Sequence, residues 1–392
     1  MSLGDRLALA RKVAGISQHT LAQRASYSVS MVRAVEQGRE PASPAFVAAV
    51  ASALRIEPQE LYGQPLHQLI NADGGIQGIS ELQTLLAEGS FVTALEPLSR
   101  AERKADLAAI QRDRRQDQAR RALERLPVLL RQLYGALSVA SDVEEQERVN
   151  RMIARAYGNA AQITYRFGWL SLAISALDRM EWAAHRSAEP LLLAHAAQQR
   201  ALILQSHGAY DSGLRLVQSS LDRVPVGNTD ENSLALIGSA HLRGAIICAR
   251  MGDAERANDH LKDAYHVGQR IGRESVAYDT NFGPGNVEIH RVAVELECGD
   301  PGKAARLGVK LRIPADVVGP RVGRHWQDVA RGWAMVGEHG HALKALNQAR
   351  KFAPQQTRYH PQVHETIRVI AGAQRRESGT VAHFAAWLGL KI

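Results

Sequence analysis

Only two cysteines occur in the 392 residues, Cys248 and Cys298, both in apolar, helix-like contexts. Two isolated thiols do not make a disulfide framework, so the chain reads as cytoplasmic, from a reducing compartment. No run of about 18 apolar residues occurs, so no membrane span is expected. The first residues already read as helix, so no signal peptide is expected either. Beyond residue 80 β-branched runs are absent, and Ala, Leu, Arg, Gln and Glu dominate. That composition favours helix. The chain also lacks a P-loop, a dinucleotide-binding glycine pattern, a nucleophile elbow and a metalloprotease helix motif, so neither catalysis nor a cofactor is expected. His360 and His364 have metal-binding i, i+4 spacing, but Pro361 lies between them and Glu365 is the only further ligand nearby. No metal site is expected there.

The length suits two or three domains. Net charge is +8, and an excess of that sign fits an anionic partner.

The most informative stretch is 17–38, SQHTLAQRASYSVSMVRAVEQG. Ser17 is a fit N-cap for a short helix from Gln18 to Arg24. Leu21, Ala22 and Ala25 form its apolar side. After a tight turn, Ser28 caps a second short helix, in which Val32 and Val35 point inward and Gly38 stops the run. Two short helices joined this way make a helix-turn-helix, whose second helix enters the DNA major groove. A preceding helix carries Leu7, Leu9, Ala10 and Val13. Ser43-Pro44 opens a fourth helix, and Pro58 starts a fifth ending near Leu61.

The pattern ISQxxLAxRAxxSxSxVRxVEQGRxxPS resembles the Cro/repressor-type (XRE family) DNA-binding domain over about the first 65 residues. The resemblance implies double-stranded DNA as partner and supplies roles by position. Gln18 matches the glutamine that holds backbone and base at the groove edge. Ser28, Val29, Ser30 and Arg33 match the reading positions. Arg33 suits a bidentate contact to guanine and Val29 a thymine methyl, while Ser28 and Ser30 suit phosphate or general contacts. Arg39 is placed to hold a phosphate. The family usually has glycine where Ser26 stands, so a left-handed backbone there would carry strain.

The Gly-rich stretch 63–79 reads as a linker, taken as 66–80, with connector helices over 81–148. In the connector, QRDRRQDQARR reads either as a solvated helix face or as a surface where Arg112, Arg115 and Arg121 touch a partner subunit or DNA. From about 149 to 392 a period emerges: Gly168/Ala173, Gly208/Gly213, Gly252/Ala257, Gly299/Ala304 and Gly337/Ala342. Each glycine ends one helix, and the small residue five positions on lets the next pack closely. This resembles the tetratricopeptide (TPR) repeat with lengthened helices, a curved solenoid with a concave inner face. Trp169, Trp182, Trp326, Trp333 and Trp387 read as repeat packing.

The segment TNFGPGNVEIHRVAVELECGD, 280–300, is similar to a recurring signature of actinobacterial regulators with a Cro-type head on a tetratricopeptide-like body. The two-part plan also resembles the peptide-sensing quorum regulators of Gram-positive bacteria. PheGlyProGlyAsn, 282–286, reads either as an inter-repeat turn or as a ligand-binding loop with Tyr278, Asn281, Asn286 and His290 on the inner face. Asn159, Arg200 and Arg243 lie on the first helices of earlier repeats, which line the concave face in such solenoids. They could bond a peptide's backbone and carboxylate.

These readings give an all-α chain: a five-helix lambda-repressor-like head followed by an α-solenoid. The expected function is a homodimeric transcriptional regulator whose body senses a peptide or other small-molecule effector. The alternatives are an interaction scaffold and an antitoxin-like repressor acting through a protein partner.

Overall fold

The computed structural model describes residues 1–373 and 379–390. The head comprises α1 (Leu3–Val13), α2 (Gln18–Ala25), α3 (Val29–Glu36), α4 (Pro44–Leu54) and α5 (Pro58–Tyr62). Its N-caps are local and strong. Ser17, Ser28 and Ser43 each accept, through the side chain, from the backbone N–H three residues on. Leu7, Leu21, Val32, Phe46, Val47, Val50 and Leu61 close a core with almost no solvent contact. Each such side chain contributes about 1.5–3 kcal/mol.

Ser26 ends α2 in the left-handed region, at φ 58° and ψ 38°. A Cβ there costs energy that glycine avoids. Ser26→Gly should therefore stabilise the protein by about 0.5–1 kcal/mol. Chemical denaturation of parent and variant checks this, and an unchanged or earlier midpoint rules out the strain account.

The connector holds α6 (His67–Ala72), α7 (Ile79–Glu88), α8 (Arg100–Arg115) and α9 (Ala119–Val139). Here the expected linker is corrected. Within 66–80, α6 buries Leu69 and Ile70, and Ile76 is buried in the same core as α9 and α10, the next helix. Arg120 donates to the Asp73 carbonyl at 2.9 Å, so the segment is a packed strut, because its three apolar side chains have a surface to cover.

The body stacks helix pairs: α10 (Val143–Phe167) with α11 (Leu170–His185), α12 (Pro190–Ser206) with α13 (Tyr210–Asp222), and α14 (Glu231–Met251) with α15 (Ala254–Ile271). Then come α16 (Pro284–Glu297) with α17 (Pro301–Lys310), and α18 (Gly319–Met335) with α19 (His339–Phe352). The chain finishes with α20 (Pro354–Tyr359), α21 (Pro361–Ala373) and α22 (Gly379–Trp387). Among the described residues the only strand-like pairing is the isolated bridge Ser275–Phe282.

Gly168, Gly208, Gly252, Gly299 and Gly337 all sit at positive φ between the two helices of a pair. Ala173, Ala257, Ala304 and Ala342, five residues later, have at most 1% exposure, which is the close approach the spacing implies. Helix α14 is long and apolar enough to cross a membrane by length and composition alone. Leu234, Ala235, Leu242 and Ala245 instead bury it in the middle of the stack.

The stack closes on itself. Asp117, between α8 and α9, accepts from the Gln355 and Gln356 N–H groups at 2.6 and 3.1 Å. Asp73 accepts from Arg358 at 2.6 Å and from the Tyr359 hydroxyl at 2.6 Å. These contacts bring the last helices back onto the connector.

Candidate nucleic-acid interface and interior site

The exposed face of α3 carries Ser30 and Arg33. The Arg33 side chain has no hydrogen bond or ion pair among the described residues and is free for an external acceptor. Ser28 is occupied at the helix start, accepting from the Met31 N–H at 3.1 Å and lying 2.9 Å from the Ser30 hydroxyl. Val29 is half-buried against the head core. Gln18 donates to Glu36 at 2.7 Å, and Arg11 grips the same carboxylate at 2.6 Å. This triad joins α1, α2 and α3 and fixes the angle at which α3 is presented. Arg39 is exposed beyond the helix and bonds Gln37. The six expected DNA contacts thus lie around the start and end of one short helix pair.

The head rests on one edge of the solenoid. A Cβ on Gly208 would lie 3.2 Å from that of Ala48, and a Cβ on Gly168 would lie 2.6 Å from that of Gln64. Glu57 meets His207 at 2.8 Å, and the Leu3 N–H donates to Glu365 at 3.2 Å. On the same edge, Glu297 at the end of α16 joins Arg331 at 2.7 Å and Arg250 at 3.5 Å. Burial would raise the Glu297 pKa, but these two guanidiniums hold it down to about 2. Tyr62 from the head lies against this cluster, and burial pushes its hydroxyl up to about 12.

Inside the solenoid the loop between α15 and α16 turns inward. Its ends are tied by Ser275 and Phe282, whose N–H groups donate to each other's carbonyls at 2.8 and 3.1 Å. Tyr278, Asp279 and Asn281 all adopt positive φ, a strained arrangement that only dense surrounding contacts maintain. The Phe282 ring provides some of them. It fills the space over Gly238, where a Cβ would stand 1.9 Å from the ring. Asp279 is held by Arg114 at 3.0 Å and Arg115 at 2.8 Å.

The expected ligand residues divide accordingly. Asn159 accepts from Arg114 at 2.8 Å and donates to the Arg155 carbonyl at 2.9 Å. Tyr278 bonds Glu189, and Asn281 donates to the Asp279 carbonyl at 3.1 Å. Asn286, 1% exposed, donates to the Asn281 carbonyl at 2.6 Å. These four brace the loop rather than face open space. Arg200 is engaged elsewhere: it pairs with Glu181 at 2.6 Å and Asp178 at 2.8 Å on α11. Its place on α12 did not decide its direction.

Arg243 and His290 lie near one another. The Arg243 Nη1 donates to Gln205 at 3.1 Å, while its buried Nε has no partner. The His290 ring meets the Asn286 carbonyl at 2.9 Å. Burial, then the nearby Arg321, hold His290 down to about 3, so it is neutral. His360 takes Arg324, and His364 lies 2.7 Å from the Arg358 carbonyl, so both rings serve the inner framework.

Sequence reasoning missed Arg114, Arg166, Arg321 and Arg324. Arg114 has 5% exposure although it sits in the nearly all-polar run of the connector. The available signal was a set of arginines recurring near the ends of the inner helices.

The helix-turn-helix domain family (HTH_31) matches residues 2–61. The head is a DNA-binding helix-turn-helix domain. No curated protein matches the chain. Among solved structures, Bacillus thuringiensis PlcR in complex with the peptide PapR7 and DNA is similar at 12% identity. That match covers 88% of this chain and 99% of PlcR, with a TM-score of 0.37. BtubC (BKLC) from P. vanneervenii is similar at 14% identity over 71% of this chain and 96% of BtubC, with a TM-score of 0.34.

Proposed function

We propose that this protein is a sequence-specific transcriptional regulator, cytoplasmic and without catalytic activity, that binds DNA as a homodimer. Its tetratricopeptide-like body senses a small effector. One observation carries the reading: the unpaired Arg33 stands on the exposed face of a fully capped α3. The Arg11–Glu36–Gln18 triad fixes the helix, so the open arginine is held ready for a base edge in the major groove. Free thiols at Cys248 and Cys298 fit the cytoplasm.

Dimerisation follows from reach. One head reads too few base pairs for specificity, and two heads on a two-fold operator double them. The connector offers an apolar surface in Phe91, Leu95, Leu98 and Val128, all exposed. Light scattering at micromolar concentration should give twice the chain mass of 42.8 kDa, and a monomer mass with and without DNA removes the dimer. Genome-wide mapping of bound DNA, followed by gel shift on the recovered sites, tests the regulator itself. Failure to enrich any sequence motif would leave the head without its function.

A further inference from the structure

A cleft of about 500 Å³ opens on the body, a volume in the range of small-ligand pockets. Arg112 and Arg115 line it from the end of α8, and Val276 from the loop between α15 and α16. Asp316 and Val317 line it from the segment leading into α18, and Phe352 from the end of α19. Its apolar part is open to water. Val276 is 50% exposed and Phe352 42%, with Val317 buried in the same lining. A concave apolar surface left wet in this way gains from any apolar group that covers it.

The charges of the lining can be counted. Arg112 and Arg115 bring two positive charges and Asp316 one negative charge, and no other charged residue lines the space. Among the described residues no ion pair joins Asp316 to either arginine. Asp316 instead accepts from the Glu274 N–H at 3.0 Å. The Glu274 carboxylate is turned to the Gly285 and Asn286 N–H groups and does not line the cleft. Behind Arg115, Asp279 accepts from it at 2.8 Å and pairs with Arg114 at 3.0 Å, so Asp279 and Arg114 cancel. Arg112 is exposed, and its side chain has no hydrogen bond or ion pair among the described residues.

We propose that this cleft binds a monoanionic amphipath: an apolar chain or ring that carries a single carboxylate, either a free organic acid or the C-terminus of a short peptide. The lining selects that class. A carboxylate offers the two acceptors that a guanidinium fork matches, and the fork of Arg112 is unused. The apolar part of the ligand then covers Val276, Val317 and Phe352. Asp316 opposes a second negative charge, so a dianion is the poorer fit. The cleft also contains two anchors of the strained loop. Arg115 grips Asp279, and Asp316 holds the Glu274 N–H next to Ser275. Tyr278, Asp279 and Asn281 keep their positive φ only while such contacts persist. A ligand that draws on Arg115 or shifts Val276 therefore acts on that loop directly. The ligand would be the effector of the sensing body, and to that extent the assignment rests on the regulator reading.

The test is calorimetric titration of the full chain with octanoate and with N-acetyl-leucyl-phenylalanine. The controls are octanamide, which lacks the charge, and suberate, which carries two. At least one of the two monoanions should bind, and Arg112→Gln should weaken it about tenfold or more. Val276→Asp, at a half-exposed position, should weaken it further by placing a negative charge on the apolar wall. Tighter octanoate binding assigns the site to free acids, and tighter peptide binding to a chain terminus. Octanamide binding as tightly as octanoate overturns the assignment, as does suberate binding more tightly. Equal binding by parent and Arg112→Gln overturns it too. Monoanion binding with no effect on operator affinity keeps the cleft and removes its sensory role. No binding of either monoanion beside intact operator recognition removes the cleft and leaves the DNA reading standing.

Discussion

Glu297→Gln should destabilise the protein by about 3–5 kcal/mol. Glu297 is buried between Arg331 at 2.7 Å and Arg250 at 3.5 Å, with side-chain exposures of 5%, 4% and 9%. Glutamine keeps the shape and one acceptor but leaves two guanidiniums in the interior without their shared anion. Asp328 cannot replace it, lying 3.9 Å from Arg331 and already engaged with Arg324. The effect also has a pH signature. Glu297 titrates near 2 in the folded chain against an ordinary value of 4.5. The unfolded chain therefore takes up the proton first as pH falls. The stabilisation is fully present above about pH 4.5 and disappears as pH falls toward 2, and linkage puts it on the order of 3 kcal/mol. Denaturant titrations from pH 7 down to pH 3 should show the parent losing stability more steeply than Glu297→Gln. A difference below about 1 kcal/mol at pH 7 would show that the cluster relaxes or hydrates without its anion. Because Tyr62 of the head lies against these charges, limited proteolysis between head and body should also speed up in the variant.

Arg33→Ala should weaken operator binding by about 1–3 kcal/mol, roughly 5- to 150-fold, and leave the far-ultraviolet helix signal unchanged. The side chain is exposed and has no hydrogen bond or ion pair among the described residues, so its removal should cost the fold little. Arg33→Lys separates the two components of the contact. A lysine keeps the charge but cannot make the two-pronged approach to guanine, so most of the specific affinity should stay lost. Arg39→Ala should behave differently. Beyond the helix end it suits a phosphate, so its loss should weaken all sequences alike and reduce the salt slope by about one. Anisotropy at fixed salt on specific and scrambled duplexes distinguishes these. Equal loss on both duplexes for Arg33→Ala would make Arg33 a phosphate contact.

What the sequence determined by itself was whatever is encoded within a few residues. Serine N-caps at positions 17, 28 and 43 satisfy backbone donors three residues away. Glycines at 168, 208, 252, 299 and 337 adopt the left-handed turn that L-residues avoid. The apolar period of the head became its core. Such signals need no distant partner, so head, helix pairs and solenoid were all legible in the chain. The direction of a charged side chain was not. Arg200 and Arg243 occupy comparable places on successive first helices, yet one pairs with carboxylates of α11 and the other with Gln205 of α12. Arg114, in a run that reads as solvated, became buried because Asp279 arrives from 165 residues away to meet it. The Gly-rich linker became a strut because Asp73 finds Arg358 at the far end of the chain. These outcomes depend on the curvature that brings the last helices back to the connector. That curvature sums small packing rotations over many helix pairs, and no single window of sequence contains the sum.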